Sequence, residues 1–225
     1  MPPDLPWQPS LLDVDAEPAL APLAPERLVL DAGSWVDVHR GWLTGADALL
    51  EQVLARAPWE QRRVRMYDAE VDEPRLTAGW STDVAGGEVP EGVMAAAEAL
   101  GAHYGVRFDR VWMNLYRDGR DSVAWHGDRN RRTMTRQLVA TLTLGATRRF
   151  CLRPTGGTRT AHVLAPQHGD LLVMGGECQA AWEHAVPKTA ARVGPRVSVT
   201  IRHSQPAPGE RWRRAPRSQE PGHAW

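Results

Sequence analysis

From residue 107 onward the chain has no stretch of helical period. It has short apolar runs instead, each broken by glycine or proline. Eight have strand length and character: 108–116, 121–128, 137–144, 148–153, 161–165, 170–174, 179–185 and 195–202. None can bury its own faces, so eight in succession must pair into stacked sheets or close on themselves. Two amphipathic helices precede them. "TGADALLEQVLARAPW" has Thr44 as its cap and Asp47 three residues on, an apolar stripe through Leu49, Leu50, Val53, Leu54 and Ala57, and Pro58 as its stop. "PEGVMAAAEALGAHYG" has Pro90 at its first position, a stripe through Val93, Met94, Ala97 and Leu100, and a glycine stop. The pattern predicts a mainly β fold with flanking helices, a double-sheet jelly roll carrying its helices on one side.

Residues 26–204 read as one domain, with the strand-rich part at about 107–204. Seven prolines within residues 1–25 predict an extended arm without its own core, and 205–225 a polar, loose tail. No apolar run approaches the roughly 20 residues of a membrane span, and the first residues lack the basic start and apolar core of a secretory signal. Cys151 and Cys178 could form one bridge at most, and without an export signal they read as reduced thiols of a cytoplasmic protein. A monomer is expected. The formal net charge of +0 argues against a uniformly basic nucleic-acid coat. Base is nevertheless segregated into "RNRRTMTR" (129–136) and "RWRRAPR" (211–217), nearly all of it arginine. Arginine suits bidentate contacts to phosphate or carboxylate, although biased residue usage would leave the same trace.

The chemistry starts from "AWHGD". His126 and Asp128 stand two apart on an expected strand, so both side chains face one way. Taken alone, such a pair is more often solvated or satisfied in a core. His184 lies 58 residues downstream on another expected strand, in "AAWEHAVP". Two histidines and one carboxylate occupy one face of an octahedron and leave three positions open, the arrangement of non-haem Fe(II) oxygenases. A structural zinc site would be closed and usually cysteine-bound, and neither cysteine is spaced for it. On "GPRVSVTIRH", Arg196, Ser198 and Arg202 share one face while Val197, Val199 and Ile201 share the other. Arginines turned inward are costly unless they meet anions, and a small dicarboxylic acid would satisfy both. Asn114 and Tyr116 form another same-face pair able to donate hydrogen bonds.

These stretches resemble the AlkB-type Fe(II)/2-oxoglutarate-dependent dioxygenases. The matching runs are "PRLTAGW" (74–80), "NLYRDGRDSVAWHGD" (114–128), "LTLGATRRFCLR" (142–153), "HGDLLVMGG" (168–176), "WEHAVPK" (182–188) and "PRVSVTIR" (195–202). The resemblance implies a double-stranded β-helix, with Fe(II) held by His126, Asp128 and His184. It implies that Arg196, Tyr116 and Asn114 grip the far carboxylate of 2-oxoglutarate, that Arg202 lies near its metal-chelating end, and that Ser198 stands where several relatives carry Asn. O2 would be the second co-substrate. The implied reaction converts 2-oxoglutarate to succinate and CO2 while an N-alkyl carbon of a nucleic-acid base is hydroxylated and lost as an aldehyde.

For the substrate, the resemblance points to Arg75, Arg129, Asn130 and Trp80. The partner it implies is alkylated nucleic acid, single-stranded DNA before RNA, because a base must leave the stack to be reached. Two departures stand out. Many members continue the metal motif as His-x-Asp-x-acid, and here Asn130 takes the acid's place without its charge. Many follow "PRLTA" with an aromatic pair, and here only Trp80 is offered for stacking. The same chemistry on a small metabolite or a protein side chain is the alternative, and a non-catalytic jelly-roll module a more distant one.

Overall fold

The computed structural model describes residues 16–66, 69–81, 89–128 and 136–204. The N-terminal part runs β1 (Ala19–Leu20), β2 (Glu26–Val29), β3 (Ser34–His39), β4 (Leu43–Thr44), α1 (Ala46–Arg56), β5 (Arg63–Met66), β6 (Ala69–Asp72), β7 (Leu76–Ser81) and α2 (Glu91–Tyr104). The strand-rich part follows as β8 (Arg110–Tyr116), β9 (Val123–His126), β10 (Val139–Gly145), β11 (Phe150–Pro154), β12 (His162–Leu164), β13 (Leu171–Gly176), α3 (Cys178–Ala181), β14 (Trp182–Val186) and β15 (Arg196–Arg202). Each of the eight expected runs contains a strand.

Beside two separate two-stranded pairs, β1-β4 and β5-β6, eleven of the described strands divide between two antiparallel sheets. The larger has the order β2-β3-β13-β10-β15-β8-β7 and the smaller β12-β11-β14-β9. Strands β8 to β15 pass back and forth between them in the manner of a jelly roll, only the consecutive β11 and β12 pairing within the smaller sheet. Each face of the larger sheet has its own task. Outward-facing Met113, Leu115, Leu142, Leu144, Val197, Val199 and Ile201 meet the apolar stripes of α1 and α2. Leu49, Leu50 and Val53 of α1 are wholly buried there, each worth roughly 1.5–3 kcal/mol of apolar burial. Between the sheets a smaller cluster of Tyr116, Val139, Phe150, Leu152, Leu172, Met174, Trp182 and Val186 closes one end of the sandwich. Both sheets also contribute residues to a cavity.

Some sequence expectations are corrected. Thr44 ends β4, and its hydroxyl donates to Ala19 O at 3.3 Å. The residue capping α1 is Gly45, in the left-handed region, with no side-chain cap. The stretch 179–185 is not all strand, because α3 occupies its first part. Asp128 lies beyond the end of β9, so strand alternation is not what aims it. The proline-rich arm is partly built in: β1 pairs with β4, and Leu20 and Leu23 pack on the helix-side core. Strand β3 gives no period-two signal because its polar residues are buried as well. Asp37 is wholly buried, accepting from Arg27 Nε and Nη2 at 2.7 and 2.8 Å and from the Tyr104 hydroxyl at 3.0 Å.

Candidate metal centre and co-substrate cavity

Strands β9 and β14 are neighbours in the smaller sheet, with His126 directly opposite His184. Their register slips between His184 and Val186, a bulge of the kind that re-aims a side chain beside a site. The two imidazole centroids lie 4.3 Å apart. Phe150 stacks on the far face of His184 at 5.2 Å and 21°. Asp128 reaches both histidines, with Oδ1 3.6 Å from His126 Nε2 and Oδ2 3.7 Å from His184 Nε2. One ligand atom from each residue lies within 4.8 Å of the others, a triangle that fits one metal ion.

The chain around the triangle holds it. The Asp128 backbone N–H donates to Gln179 Oε1 at 2.9 Å. Gly127, between the two ligands, passes so close to the backbone that a Cβ would stand 2.9 Å from Gln179 O. Only glycine allows that approach. His126 Nδ1 lies 2.8 Å from Ala124 O, so that nitrogen carries the proton and Nε2 presents its lone pair to the centre. Burial, aided by the neighbouring His126, pushes His184 down to about 3, so its imidazole is a neutral donor. Burial alone would lift the Asp128 carboxyl. Arg202 and the two histidines outweigh it and hold the group below its ordinary value. Two imidazoles and a carboxylate are the donor set that an open Fe(II) site needs.

A cavity of about 1030 Å³ opens onto this centre, enough for a small co-substrate and part of a larger ligand. Ladder pairs Tyr116–Arg196, Asn114–Ser198 and Trp112–Thr200 step along its wall on β8 and β15. Arg196 does not itself line the cavity: it is 1% exposed, opposite Tyr116 on β8 and bonded to Ser198, both of which do. Arg196 donates to Ser198 Oγ at 2.5 Å and to Thr143 Oγ1 at 3.3 Å, and its Nε has no partner among the described residues. Burial lowers its guanidinium to about 10, and the Tyr116 hydroxyl beside it is raised, chiefly by burial. A buried guanidinium held only by neutral hydroxyls lacks its counter-ion. Arg202, farther along β15, donates to Asp128 Oδ1 at 2.7 Å, and its Nε too is buried without a partner among the described residues. The two orphaned donors are what a bound dicarboxylate would satisfy.

Arg75 also lines the cavity. It donates to Asn114 Oδ1 at 3.0 Å, Glu73 Oε1 at 3.1 Å and Ser122 O at 3.4 Å. The first contact commits the Asn114 amide oxygen and leaves its NH2 as the donor. Trp80 is placed elsewhere. Alternation along β7 turns Thr77 to the cavity, while Trp80 packs with the helix-side core. The expectation that Trp80 stacks on a base is therefore corrected. Arg129 and Asn130, with most of the basic run 129–136, lie outside the described residues. Thr143, Phe150, Trp112 and Gln179 were not singled out from sequence. Thr143 and Trp112 could have been found by alternation, from Thr141 and from Asn114, whereas Gln179 acts from an unforeseen helical turn.

The description "2OG-Fe(II) oxygenase superfamily" matches residues 40–202. The chain is 32% identical to the human alpha-ketoglutarate-dependent dioxygenase alkB homolog 3, over 91% of this chain and 77% of that protein. It is 28% identical to the Arabidopsis thaliana DNA oxidative demethylase ALKBH2, over 80% of this chain and 70% of the relative. Among solved structures, that of OsALKBH1 superposes with a TM-score of 0.52 at 15% identity, covering 79% of this chain and 100% of the other. That likeness bears on the fold alone.

Proposed function

Because this chain belongs to the 2OG-Fe(II) oxygenase superfamily, in its AlkB branch, we propose that it oxidatively removes alkyl groups from damaged nucleic-acid bases. The enzyme uses Fe(II), 2-oxoglutarate and O2. The observation that carries the reading is the His126–Asp128–His184 triangle sharing a cavity with Arg202, while Arg196 lies buried on the same strand face beside the cavity-lining Tyr116 and Ser198; neither arginine Nε has a partner among the described residues. Similarity to relatives named for DNA demethylation supplies the substrate class.

In this reading His126, Asp128 and His184 hold Fe(II), which supplies oxidising chemistry when O2 and 2-oxoglutarate are present. Arg196 clamps the far carboxylate of 2-oxoglutarate, with Tyr116, Ser198 and Thr143 holding its guanidinium square to the ligand. Arg202 faces the metal end, where its charge keeps Asp128 ionised. Asn114, oriented by Arg75, offers its NH2 to the same ligand. The carbon hydroxylated leaves as an aldehyde, and the base is restored.

We further propose a preference for single-stranded DNA, a monomeric enzyme and a cytoplasmic location. A single strand presents its bases without the cost of unstacking and unpairing. The location is supported by Cys151 and Cys178, which are both buried and unbridged. Among the described residues no helix is long and apolar enough to cross a membrane.

The test is aldehyde release from a methylated single-stranded oligonucleotide, with succinate measured alongside. Formaldehyde above the no-oligonucleotide control supports dealkylation. Succinate that no methylated oligonucleotide stimulates, with no formaldehyde, contradicts it.

A further inference from the structure

Seven tryptophans fall within the described residues, and six of them are accounted for by packing. Trp42 is in the helix-side core, with Trp35, Trp59 and Trp80 packed against it. Trp182 belongs to the cluster between the sheets. Trp125 lies under the Arg153 guanidinium, 4.3 Å from its ring centroid. Trp112 belongs to neither core cluster, is half-buried, and alone among these tryptophans lines the cavity. A large aromatic face turned to a cavity rather than to a core gives up burial that a smaller residue would not need.

Three observations fix what that face meets. First, Trp112 is opposite Thr200 on β15, one cavity-facing step from Arg202, whose guanidinium holds Asp128. The ring thus lies toward the Arg202 end of the cavity that the metal ligands also line, four residues and roughly 13 Å of strand rise from Tyr116 and the Arg196 end. Second, Gly79 is its ladder partner on β7, and a Cβ there would stand 2.8 Å from the indole ring. Glycine at 79 lets the indole lie back against the strand with its other side open to the cavity. Third, the exposed Arg62 guanidinium, a planar cation, lies 5.3 Å from the ring centroid. The ring already accepts a flat, positively charged group on its face, as indole rings do.

We infer that Trp112 is the platform on which the substrate base stacks when its alkyl group is presented to the metal centre. It takes the role that the sequence suggested for Trp80. A ring alkylated on nitrogen and carrying positive charge is the ligand such a face holds best, and Arg62 yields its place to that ring. The assignment rests on the dealkylation reading and makes Trp112 a specificity-determining residue for it. It also relieves the chain of depending on a carboxylate at Asn130, because a π face supplies attraction for a cation without one.

The experiment compares Trp112→Phe with Trp112→Leu, using formaldehyde release from a methylated single-stranded oligonucleotide and separate determination of KM and kcat. Leucine keeps apolar bulk without a π face, so packing and stacking separate. Base stacking of this kind is worth roughly a 10- to 100-fold change in binding. Leucine is expected to raise the oligonucleotide KM by about that factor, and phenylalanine by less than about fivefold. The affinity for 2-oxoglutarate, read by equilibrium binding, serves as the control for a merely structural role. Equal KM values for the two variants, or a leucine variant that loses 2-oxoglutarate affinity in proportion, would overturn the assignment. If the wild-type enzyme releases no formaldehyde, the parent reading fails and this one with it. If wild type is active and the leucine variant matches it, only the role of Trp112 fails.

Discussion

Strand β15 has two faces, and they are built on opposite principles. Val197, Val199 and Ile201 are wholly buried against apolar partners beneath the helices. Arg196, Ser198, Thr200 and Arg202 alternate with them on the other face; the last three line the cavity, and among the described residues the Nε atoms of Arg196 and Arg202 have no partner. The helix side is satisfied within the chain. The cavity side is satisfied only in part: Arg196 donates to Ser198 and Thr143 and Arg202 to Asp128, and their Nε atoms are left over among the described residues. One strand thus carries both the stability of the fold and the unmet demand that specifies its ligand, and substitutions on the two faces should fail in opposite ways.

The sharpest break in that contrast comes at Arg196. Removing one partner of a buried charged contact costs on the order of 3–5 kcal/mol, so Arg196→Ala is expected to weaken 2-oxoglutarate binding by roughly 150-fold or more. Thermal melting of the protein without co-substrate should hold or rise in Arg196→Met, because a buried charge without a counter-ion is replaced by apolar volume. Isothermal titration and a melting curve check the two halves, and a destabilised Met variant would contradict the claim that Arg196 is held by neutral hydroxyls without a counter-ion. The opposite face supplies the mirror experiment. Leu50→Ala should cost about 2–5 kcal/mol in denaturant unfolding and leave the 2-oxoglutarate affinity of the folded fraction within about twofold, since nothing on that face reaches the ligand.

Smaller effects refine the account of the metal triangle. Gln179 positions Asp128 through its backbone N–H without touching the centre, and such supporting contacts are typically worth 10- to 100-fold in metal affinity. Gln179→Ala is expected to weaken Fe(II) or Mn(II) binding by about that factor, with substitution by Glu restoring part of it through the same acceptor oxygen. The pH dependence has a definite sign. His184 titrates near 3 in the fold and near its ordinary value when unfolded, so between these the unfolded chain binds the extra proton. Its contribution to the stability of the metal-free protein is therefore present above about pH 6.5 and lost as pH falls toward 3. Unfolding measured along that window should be flatter in His184→Gln than in wild type.

How much of this was readable from residues alone follows the same division. The eight strands were legible because outward-facing positions on β8, β10 and β15 are uniformly apolar and the turns carry glycine or proline. His126, Asp128 and His184 were legible as residue types, but the strand argument for Asp128 reached the right residue for an incomplete reason. Its aim comes from Gln179, Arg202 and the close passage at Gly127. The N-terminal strands were hidden because β3 buries polar residues that find partners far along the chain, such as Asp37 with Tyr104. Trp80 misled because a one-residue difference in strand phase moves a side chain from one face to the other. Phase is set by pairing with β8, which no local pattern states.

The central claim is that one cavity couples the His126–Asp128–His184 centre to dealkylation of a base. The most direct test is to quantify formaldehyde and succinate together from a methylated single-stranded oligonucleotide with Fe(II), 2-oxoglutarate and O2, for wild type and for Asp128→Ala. The account predicts formaldehyde and succinate in near-equal amounts from the wild type, and neither from a folded Asp128→Ala variant. Formaldehyde release that survives in Asp128→Ala would contradict it.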